Sequence, residues 1–336
     1  MKIGRPTGIS SQARTSAIQE RHQMKSVITG VAGFIGSHLA EKLLGLGHEV
    51  VGVDKFLDNY AREFKDSNLS QFVKHPSFKF INDDLVNIEL RQLLNQTDYI
   101  FHLAAQPGVR SSWGEEFSHY SHNNILATQL LLEACKQVKV RKLVYASSSS
   151  VYGDTDDLPM RESGGTRPVS PYGVSKLAAE HLCYLYWKAF GIPTVSLRFF
   201  TVYGPRQRPD MFFHILMRRL LVDQEIPLYD DGEQSRDFTY CADIVDGLTA
   251  AAFYLGSGDV FNLGGGGEIT LLNAIKLVEK VSGRKAKLKR FDRQRGDVRR
   301  TRASLDQAKK KLGYKPLVSL EQGLSRQWEW ISAMGK

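Results

Sequence analysis

The chain has 336 residues, 42% of them hydrophobic, with 45 Lys and Arg against 36 Asp and Glu and a formal net charge of +9. That length buries a large core and suits one big domain with a smaller companion. No apolar run reaches the ~20 residues that span a bilayer, and Met1–Gln23 is polar and basic without the apolar centre of a secretory signal. Cys135, Cys183 and Cys241 are few, odd in number and far apart. They read as reduced thiols of a cytoplasmic protein and offer no metal-like spacing. The positive residues are dispersed and no aromatic–basic recognition motif occurs, which argues against nucleic acid; an anionic substrate or cofactor explains the basic balance equally well.

Residues 1–23, rich in Ser, Thr, Arg and Gln, are expected to form a flexible tail outside the fold. Ser26–Thr29 then reads as a short buried strand and Phe34–Leu46 as a helix with apolar residues at helical spacing. Gly30, Gly33 and Gly36 fall at the turn between them. A turn at a helix N-terminus presents free N–H groups and the positive dipole end to a pyrophosphate, and glycine lets the backbone approach. A second strand, His48–Val53, ends in Asp54. An acid there accepts hydrogen bonds from the adenosine ribose hydroxyls and repels a 2′-phosphate, so the order favours NAD over NADP.

The alternation continues through strand Phe78–Ile81, which ends at Asn82-Asp83-Asp84-Leu85, and a short helix at Ile88–Leu94. Strand Tyr99–Leu103 opens into Ala104-Ala105-Gln106, Ile125–Gln137 is a long helix, and strand Lys142–Ser147 delivers the run Ser147–Ser150. Strand Thr194–Phe199 follows a further helix. Strands separated by helices of this length imply an α/β fold with a doubly wound, Rossmann-type parallel sheet, whose ligands bind beyond the carboxyl ends of the strands. Beyond Phe200, Pro, Gly, Arg and Asp become frequent. This part is expected to hold shorter helices and a smaller α/β substrate-binding unit, with a return to the main sheet near Asp259–Leu263. Gly264–Gly267 reads as a flexible turn, since no Lys-Ser/Thr follows to make a second phosphate loop.

Tyr172 and Lys176 lie one turn apart if the segment from Ser175 to Ala189 is helical. A lysine ammonium beside a phenol favours the phenolate, which then serves as a base near neutrality. A serine from a neighbouring strand end would share the moving proton. Alone, the pair is equally an incidental feature of an amphipathic helix; the glycine turn and Asp54 give it a partner.

Together these motifs resemble the extended short-chain dehydrogenases/reductases, specifically the nucleotide-sugar epimerases and dehydratases, from about Ser26 to the C-terminus. The matching residues are Thr29-Gly-x-x-Gly33-Phe-Ile-Gly36, Asp84-Leu85, His102-Leu-Ala-Ala105, Asn124-x-x-x-Thr128, Ser148-x-x-Val151-Tyr152-Gly153 and Tyr172-x-x-x-Lys176. Arg198-Phe-Phe-Thr-Val-Tyr-Gly204, Ser235-Arg-Asp-Phe238 and Gly296-Asp297 continue the pattern. The resemblance implies a tightly held NAD on Gly30, Gly33, Phe34, Ile35, Gly36, Asp54, Asp84, Leu85, Leu103, Ala104 and Ala105, together with Tyr172 and Lys176. It implies a UDP- or TDP-sugar as substrate, residues 24–200 as the cofactor domain with a returning strand near 239–263, and residues 201–238 and 264–336 as the nucleotide-sugar domain.

The same resemblance gives roles. Tyr172 takes the proton of the sugar 4-hydroxyl, Lys176 lowers its pKa and Ser148 bridges phenol and 4-oxygen. A dehydratase would carry an Asp-Glu pair at Ser149 and Ser150 and a decarboxylase a Glu at Ser150; here both are serine, so the acids of the lyases are missing. Thr201 and Arg208 resemble the arrangement in UDP-glucuronate 4-epimerases, where a hydroxyl and an arginine hold the C5 carboxylate. Substrate contacts are therefore expected from Gln106, Ser148, Ser149, Ser150, Thr201 and Arg208, with Tyr229 on the uracil and Arg236 on phosphate or ribose. The arginine that usually stands three residues before the Asp of Gly-Asp is replaced by Gln294, between Arg293 and Arg295. Alternative readings are a 4-epimerase of neutral UDP-hexoses, a lyase, or a non-catalytic NAD-binding regulator. The resemblance also implies a homodimer through a four-helix contact on faces including Leu126, Leu130, Leu185 and Trp187.

Overall fold

The computed structural model describes residues 23–334; the tail expected at 1–23 lies, apart from Gln23, outside the described residues. Runs of β-branched and aromatic residues form β1 (Lys25–Thr29), β2 (Glu49–Val53), β3 (Phe78–Ile81), β4 (Tyr99–His102), β5 (Lys142–Ser148) and β6 (Thr194–Phe199). β7 (Thr201–Tyr203), β8 (Ile226–Tyr229), β9 (Ser235–Arg236) and β10 (Phe238–Tyr240) leave that sheet, and β11 (Asp259–Leu263) returns to it. The resulting 7-stranded sheet has the order β11-β6-β5-β4-β1-β2-β3, parallel throughout. β7 pairs with β10, β9 with β12 (Ile269–Thr270) and β8 with β13 (Leu288–Phe291).

Successive side chains on a strand point to opposite faces, and both faces are covered. Ile28, Val50, Phe101 and Val144 join a core that includes Leu39 and Leu43 of α1 (Phe34–Gly45). Val27, Val51, Ile100 and Leu143 belong to a second core, on the other side. The helix α2 (Arg62–Ser70) follows β2, and α3 (Leu90–Leu93), α4 (Phe117–Tyr120), α5 (Ala127–Cys135) and α6 (Pro171–Phe190) follow in turn. Leu93, Leu131 and Ala179 carry α3, α5 and α6 into the second core. Each such fully buried aliphatic side chain contributes about 1.5–3 kcal/mol.

Two elements start differently from the sequence expectation. The helix expected at Ile125–Gln137 is α5, entered through a π-helical turn at Ser121–Leu126 that buries Asn123 and Asn124. α6 begins before Ser175: Ser170 accepts a hydrogen bond from Gly173 N at 3.1 Å, and Pro171 takes the first helical position, where its missing N–H costs nothing.

The expectation of shorter helices beyond Phe200 fails. α7 (Phe212–Leu221) is followed by α8 (Cys241–Phe253), α9 (Leu271–Ser282) and α10 (Leu320–Met334), of 13, 12 and 15 residues, against 12 in α1. Their buried stripes, such as Ala274, Ile275 and Val278, recur at helical spacing beside exposed polar residues, so the frequent Pro, Gly, Arg and Asp of this part were a poor guide to helix length. Gly264–Gly267 is also not the free turn expected. A Cβ on Gly265 would lie 2.1 Å from Phe238 O, and Gly265 N donates to Asp237 Oδ1 at 2.6 Å. Lys309–Lys311 are exposed, on a π-helical turn. Among the described residues no helix is long and apolar enough to cross a membrane.

Candidate active site

At the end of β1 the chain turns at Gly30, whose φ of +73° is left-handed, and Gly30 N donates to Val53 O at 2.7 Å. A Cβ there would meet Ala104 N at 2.8 Å, and one on Gly36 would stand 2.2 Å from Gly30 O. The turn is therefore as tight as a backbone permits. No side chain caps the N-terminus of α1 and its first turn carries no acid, so its free N–H groups and positive dipole end are left for an anion. At the end of β2, Asp54 Oδ1 accepts from Phe56 N at 2.8 Å and Oδ2 from Ala32 N at 3.1 Å. Burial raises its pKa, against the pull of the Phe56 N–H and of Lys65. Asp84 is also partly desolvated, yet Lys55 Nζ at 2.6 Å and Val86 N hold its pKa low.

An open cleft runs along these strand ends. Its walls include Gly30, Gly33, Phe34, Ile35 and Gly36, then Asp54, Asp84, Leu85 and Leu103–Ala105, and finally Tyr172, Lys176 and Arg208. The three groups of residues, separate in the sequence, thus share one cavity.

The candidate Ser148, Tyr172 and Lys176 set is built from β5 and α6. Ser148 Oγ accepts from Ser150 N at 3.2 Å at the entry to a 3-10 turn, Ser149–Val151, and stands 3.2 Å from Ser150 Oγ. Gly173 lets α6 approach this turn, because a Cβ there would lie 2.6 Å from Ser150 O. Burial raises the Tyr172 phenol's pKa, while the neighbouring Ser148 side chain and the Arg208 charge act against the rise. Lys176 Nζ lies 4.6 Å from the centre of the Tyr145 ring, and burial brings its pKa down to about 7. Ser147, rather than Ser148–Ser150, lines the large cleft, and its Oγ donates to the buried Glu180 at 2.7 Å.

Behind the pair lies a hydrogen-bond chain with one consistent polarity. Thr128 Oγ1 donates to Asn124 O at 2.7 Å and so accepts from His102 Nε2 at 2.9 Å. His102 Nδ1 then accepts from Thr29 Oγ1 at 2.8 Å, and burial lowers the imidazole pKa to about 3. Thr29 Oγ1 in turn accepts from Leu103 N and Ala104 N. Asn124 ties Gln106 by both backbone atoms and donates to Ser175 Oγ at 2.9 Å. Strand β1, the Leu103–Gln106 segment and α6 are held in one register by neutral groups. Asn124 and Thr128 were legible as a motif, but their positioning work was not.

The remaining expected residues divide. Arg208 lines the cleft, with its Nε and Nη2 on Asp210. Arg206 does not enter the cleft: it pairs with Glu41 of α1 at 2.6 Å. Thr201 is half-buried at the start of β7, and among the described residues its hydroxyl has no hydrogen-bond partner. Tyr229 and Arg236 stand outside the large cleft, in a second charged group. The Arg110 guanidinium lies 4.1 Å from the centre of the Tyr229 ring and pairs with Asp297 at 2.8 Å. Arg236 Nη1 donates to Ser235 O at 2.8 Å; burial lowers its pKa, partly offset by Asp297 and Asp154. Arg293, itself exposed, reaches Asp154 at 3.3 Å and Asp297 O at 2.9 Å, whereas the exposed Arg295 makes no such bond among the described residues. Of the two arginines flanking Gln294, Arg293 therefore joins the group. The sequence reading missed Arg110 and, among the cleft's polar residues, Lys55, Asn59, Tyr60, Lys65 and Asn123. Lys55 directly follows the recognised Asp54 and Asn123 directly precedes the recognised Asn124, so adjacency was the available signal; the others sit on a loop and helix without a motif.

A parallel sheet of this strand order, with a glycine turn and a Ser-Tyr-Lys group at the same strand ends, defines a dinucleotide-dependent enzyme of the short-chain dehydrogenase/reductase class. Residues 27–327 match the family described as GDP-mannose 4,6 dehydratase, and the chain belongs to that family of extended short-chain dehydrogenases/reductases. It is 46% identical over 316 residues to the Bacillus subtilis protein named "Uncharacterized UDP-glucose epimerase YtcB", covering 93% of this chain and 99% of that one. It is 38% identical to a UDP-glucuronate 4-epimerase of Thermodesulfobacterium geofontis, over 90% of this chain and 95% of the other. Among solved structures, the UDP-glucuronic acid 4-epimerase of Bacillus cereus in complex with UDP-glucuronic acid and NAD superposes with a TM-score of 0.90 at 44% identity, covering 93% of this chain and 100% of that one.

Proposed function

We propose that the protein is an NAD-dependent UDP-glucuronate 4-epimerase that interconverts UDP-glucuronate and UDP-galacturonate through a transient 4-keto sugar. The observation that carries this reading is Arg208 in the same cleft as Tyr172 and Lys176, together with a run Ser147–Ser150 that has no carboxylic acid. The backbone cradle at Gly30 and Gly36, which side chains would fill, and the ribose-directed Asp54 fit NAD. When bound, NAD accepts the C4 hydride and returns it. Tyr172 takes the proton of the 4-hydroxyl and gives it back, with Ser148 sharing it. The Lys176 ammonium stabilises the phenolate and binds the nicotinamide ribose. Thr201, Ser149, Ser150 and Arg208 hold the C5 carboxylate by hydrogen bonds without repelling it. Gln106 completes the sugar contacts, and Tyr229 with Arg236 takes the uridine diphosphate.

On this reading residues 24–200 and 239–263 form the cofactor part, and residues 201–238 and 264–336 the nucleotide-sugar part. The protein works in the cytoplasm, in keeping with three buried free thiols. It forms a homodimer through α6 and through α5 with the turn that leads into it, where Leu185 and Leu126 are 52% and 43% exposed. Trp187 is left out of that contact, because its ring packs on the chain's own Gly258. Sedimentation at micromolar concentration showing only monomer would dispose of the dimer.

A 4-epimerase of neutral UDP-hexoses is the second reading. It is favoured by the Asp210 carboxylate that already neutralises Arg208, and by the name of the B. subtilis relative. The purified protein with UDP-glucuronate, followed by NMR, separates the readings. UDP-galacturonate without CO2 supports the first, turnover of UDP-glucose alone supports the second, and a pentose product would identify a lyase.

A further inference from the structure

Arg208 does not meet the cleft as a free cation. Its Nε donates to Asp210 Oδ1 at 3.0 Å and its Nη2 to Asp210 Oδ2 at 2.9 Å. One carboxylate thus takes the whole side edge of the guanidinium. The end edge, made of Nη1 and the second Nη2 hydrogen, has no acceptor among the described residues. A planar fork pinned along one edge has only one direction left in which to bind a second carboxylate. Asp210 lies outside the cleft lining, with its side chain 48% exposed, while Arg208 lines the cleft with Tyr60 and Tyr172. The guanidinium therefore stands between a carboxylate on the solvent side and the reactive phenol on the other.

The loop that carries both residues is fixed at several points. Gln207 Oε1 accepts from His214 N at 3.0 Å and from Gln327 Nε2 at 2.7 Å, and Gln327 Oε1 accepts from Gly204 N. Arg206 adds its bond to Glu41, and Met211 N donates to Arg208 O at 3.1 Å. Asp210 is consequently a bracket on a rigid support rather than a surface acid that met an arginine by chance.

We propose that Asp210 is a positioning residue for the uronate carboxylate: it clamps Arg208 so that the guanidinium's end edge fixes the plane of that carboxylate. This rests on the carboxylate reading of Arg208 given above. The plane matters because the 4-keto uronate is a β-keto acid. When the C5–C6 bond is perpendicular to the ketone plane it breaks, its electron pair passes into the C4 carbonyl as an enolate, a proton returns at C5, and CO2 leaves. A carboxylate held out of that alignment survives until the ketone is reduced. Asp210 also cancels the charge of Arg208, so selection for the carboxylate comes from direction rather than from an unpaired cation.

The experiment measures UDP-glucuronate binding by calorimetry on the NAD-loaded enzyme, together with the ratio of CO2 to UDP-galacturonate formed. This is done for the native enzyme, Asp210→Ala, Asp210→Glu and, separately, Arg208→Ala. The ratio is counted per turnover, so it does not depend on how much enzyme is folded. Asp210→Ala is expected to weaken binding at least tenfold and to raise the CO2 share severalfold. Asp210→Glu, which keeps a two-oxygen partner, is expected to recover most of both. Binding in Asp210→Ala as tight as in the native enzyme, or tighter, with an unchanged ratio would overturn the proposal. If Arg208→Ala itself bound UDP-glucuronate normally, the carboxylate reading would fall and this inference with it. Weak binding in Arg208→Ala alongside normal behaviour of Asp210→Ala would remove only the role of Asp210.

Discussion

The two ends of the active-site region are built from different materials. At the proposed cofactor end the walls are backbone: a left-handed Gly30, a Gly36 on which a Cβ would lie only 2.2 Å from Gly30 O, and the uncapped start of α1. At the proposed sugar and nucleotide end stand long charged side chains already paired with one another, Arg208 with Asp210 and Arg110 with Asp297. A backbone site is fixed once the strands and helix form. A side-chain site depends on partners that arrive from other parts of the chain and can be retuned without disturbing the fold. Substitutions at the first end should therefore act on folding and cofactor retention, and those at the second on substrate affinity.

Tyr172→Phe belongs to neither end and tests the chemistry between them. It should lower kcat by about 10³-fold, at the upper part of what a positioned acid–base group contributes, while the purified protein keeps its bound NAD by absorbance. Turnover near the native rate would refute the mechanism. Gly36→Ala should cost about 3 kcal/mol by chemical denaturation and empty the cofactor site, because the new methyl meets Gly30 O and Val31 Cα with nowhere to move. The same change at Gly45, which has nothing within 4 Å of its Cβ position, should cost nothing. Equal effects at both positions would break the contrast.

Lys176 gives a pH test. Burial puts its pKa at about 7, so the charge that supports the phenolate is present below that value and lost above it. The alkaline limb of kcat/KM should bend near pH 7 in the native enzyme and vanish in Lys176→Met, whose rate is low at every pH. The smallest effect is expected at Tyr229→Ala, which removes the ring beneath Arg110. A loss of about 1 kcal/mol, the scale of one cation–π contact, would raise KM for the UDP-sugar about fivefold with kcat unchanged. A fall in kcat there would mean that the two ends are coupled.

The cofactor end was the more readable of the two. β1, its glycine turn, α1 and Asp54 were each legible because the phosphate turn is local and glycine is the residue that such a backbone requires. The pair Tyr172 and Lys176 was legible through helical spacing, although α6 starts earlier than its apolar pattern implied. Ser170 followed by Pro171 carried that boundary as a capping signal, and the turn-like look of Pro-Tyr-Gly hid it. Gly264–Gly267 was misread for the same reason: glycine signals freedom in a turn and close approach in a packed one, and the residue that decides, Asp237, is far away in the sequence.

By itself, the sequence determined the alternating α/β fold, and it marked the glycine turn after β1 and the Ser148, Tyr172 and Lys176 set as candidates at its strand ends. These depend on periodicity and short-range backbone geometry, which a linear string records. Tertiary structure decided the partners: Arg208 on Asp210 rather than free, Arg206 on Glu41, Arg110 over Tyr229, and the neutral His102 joining three elements. A charge's direction and its worth depend on what lies within a few ångströms of it, and that distance is set by packing between segments remote in the chain.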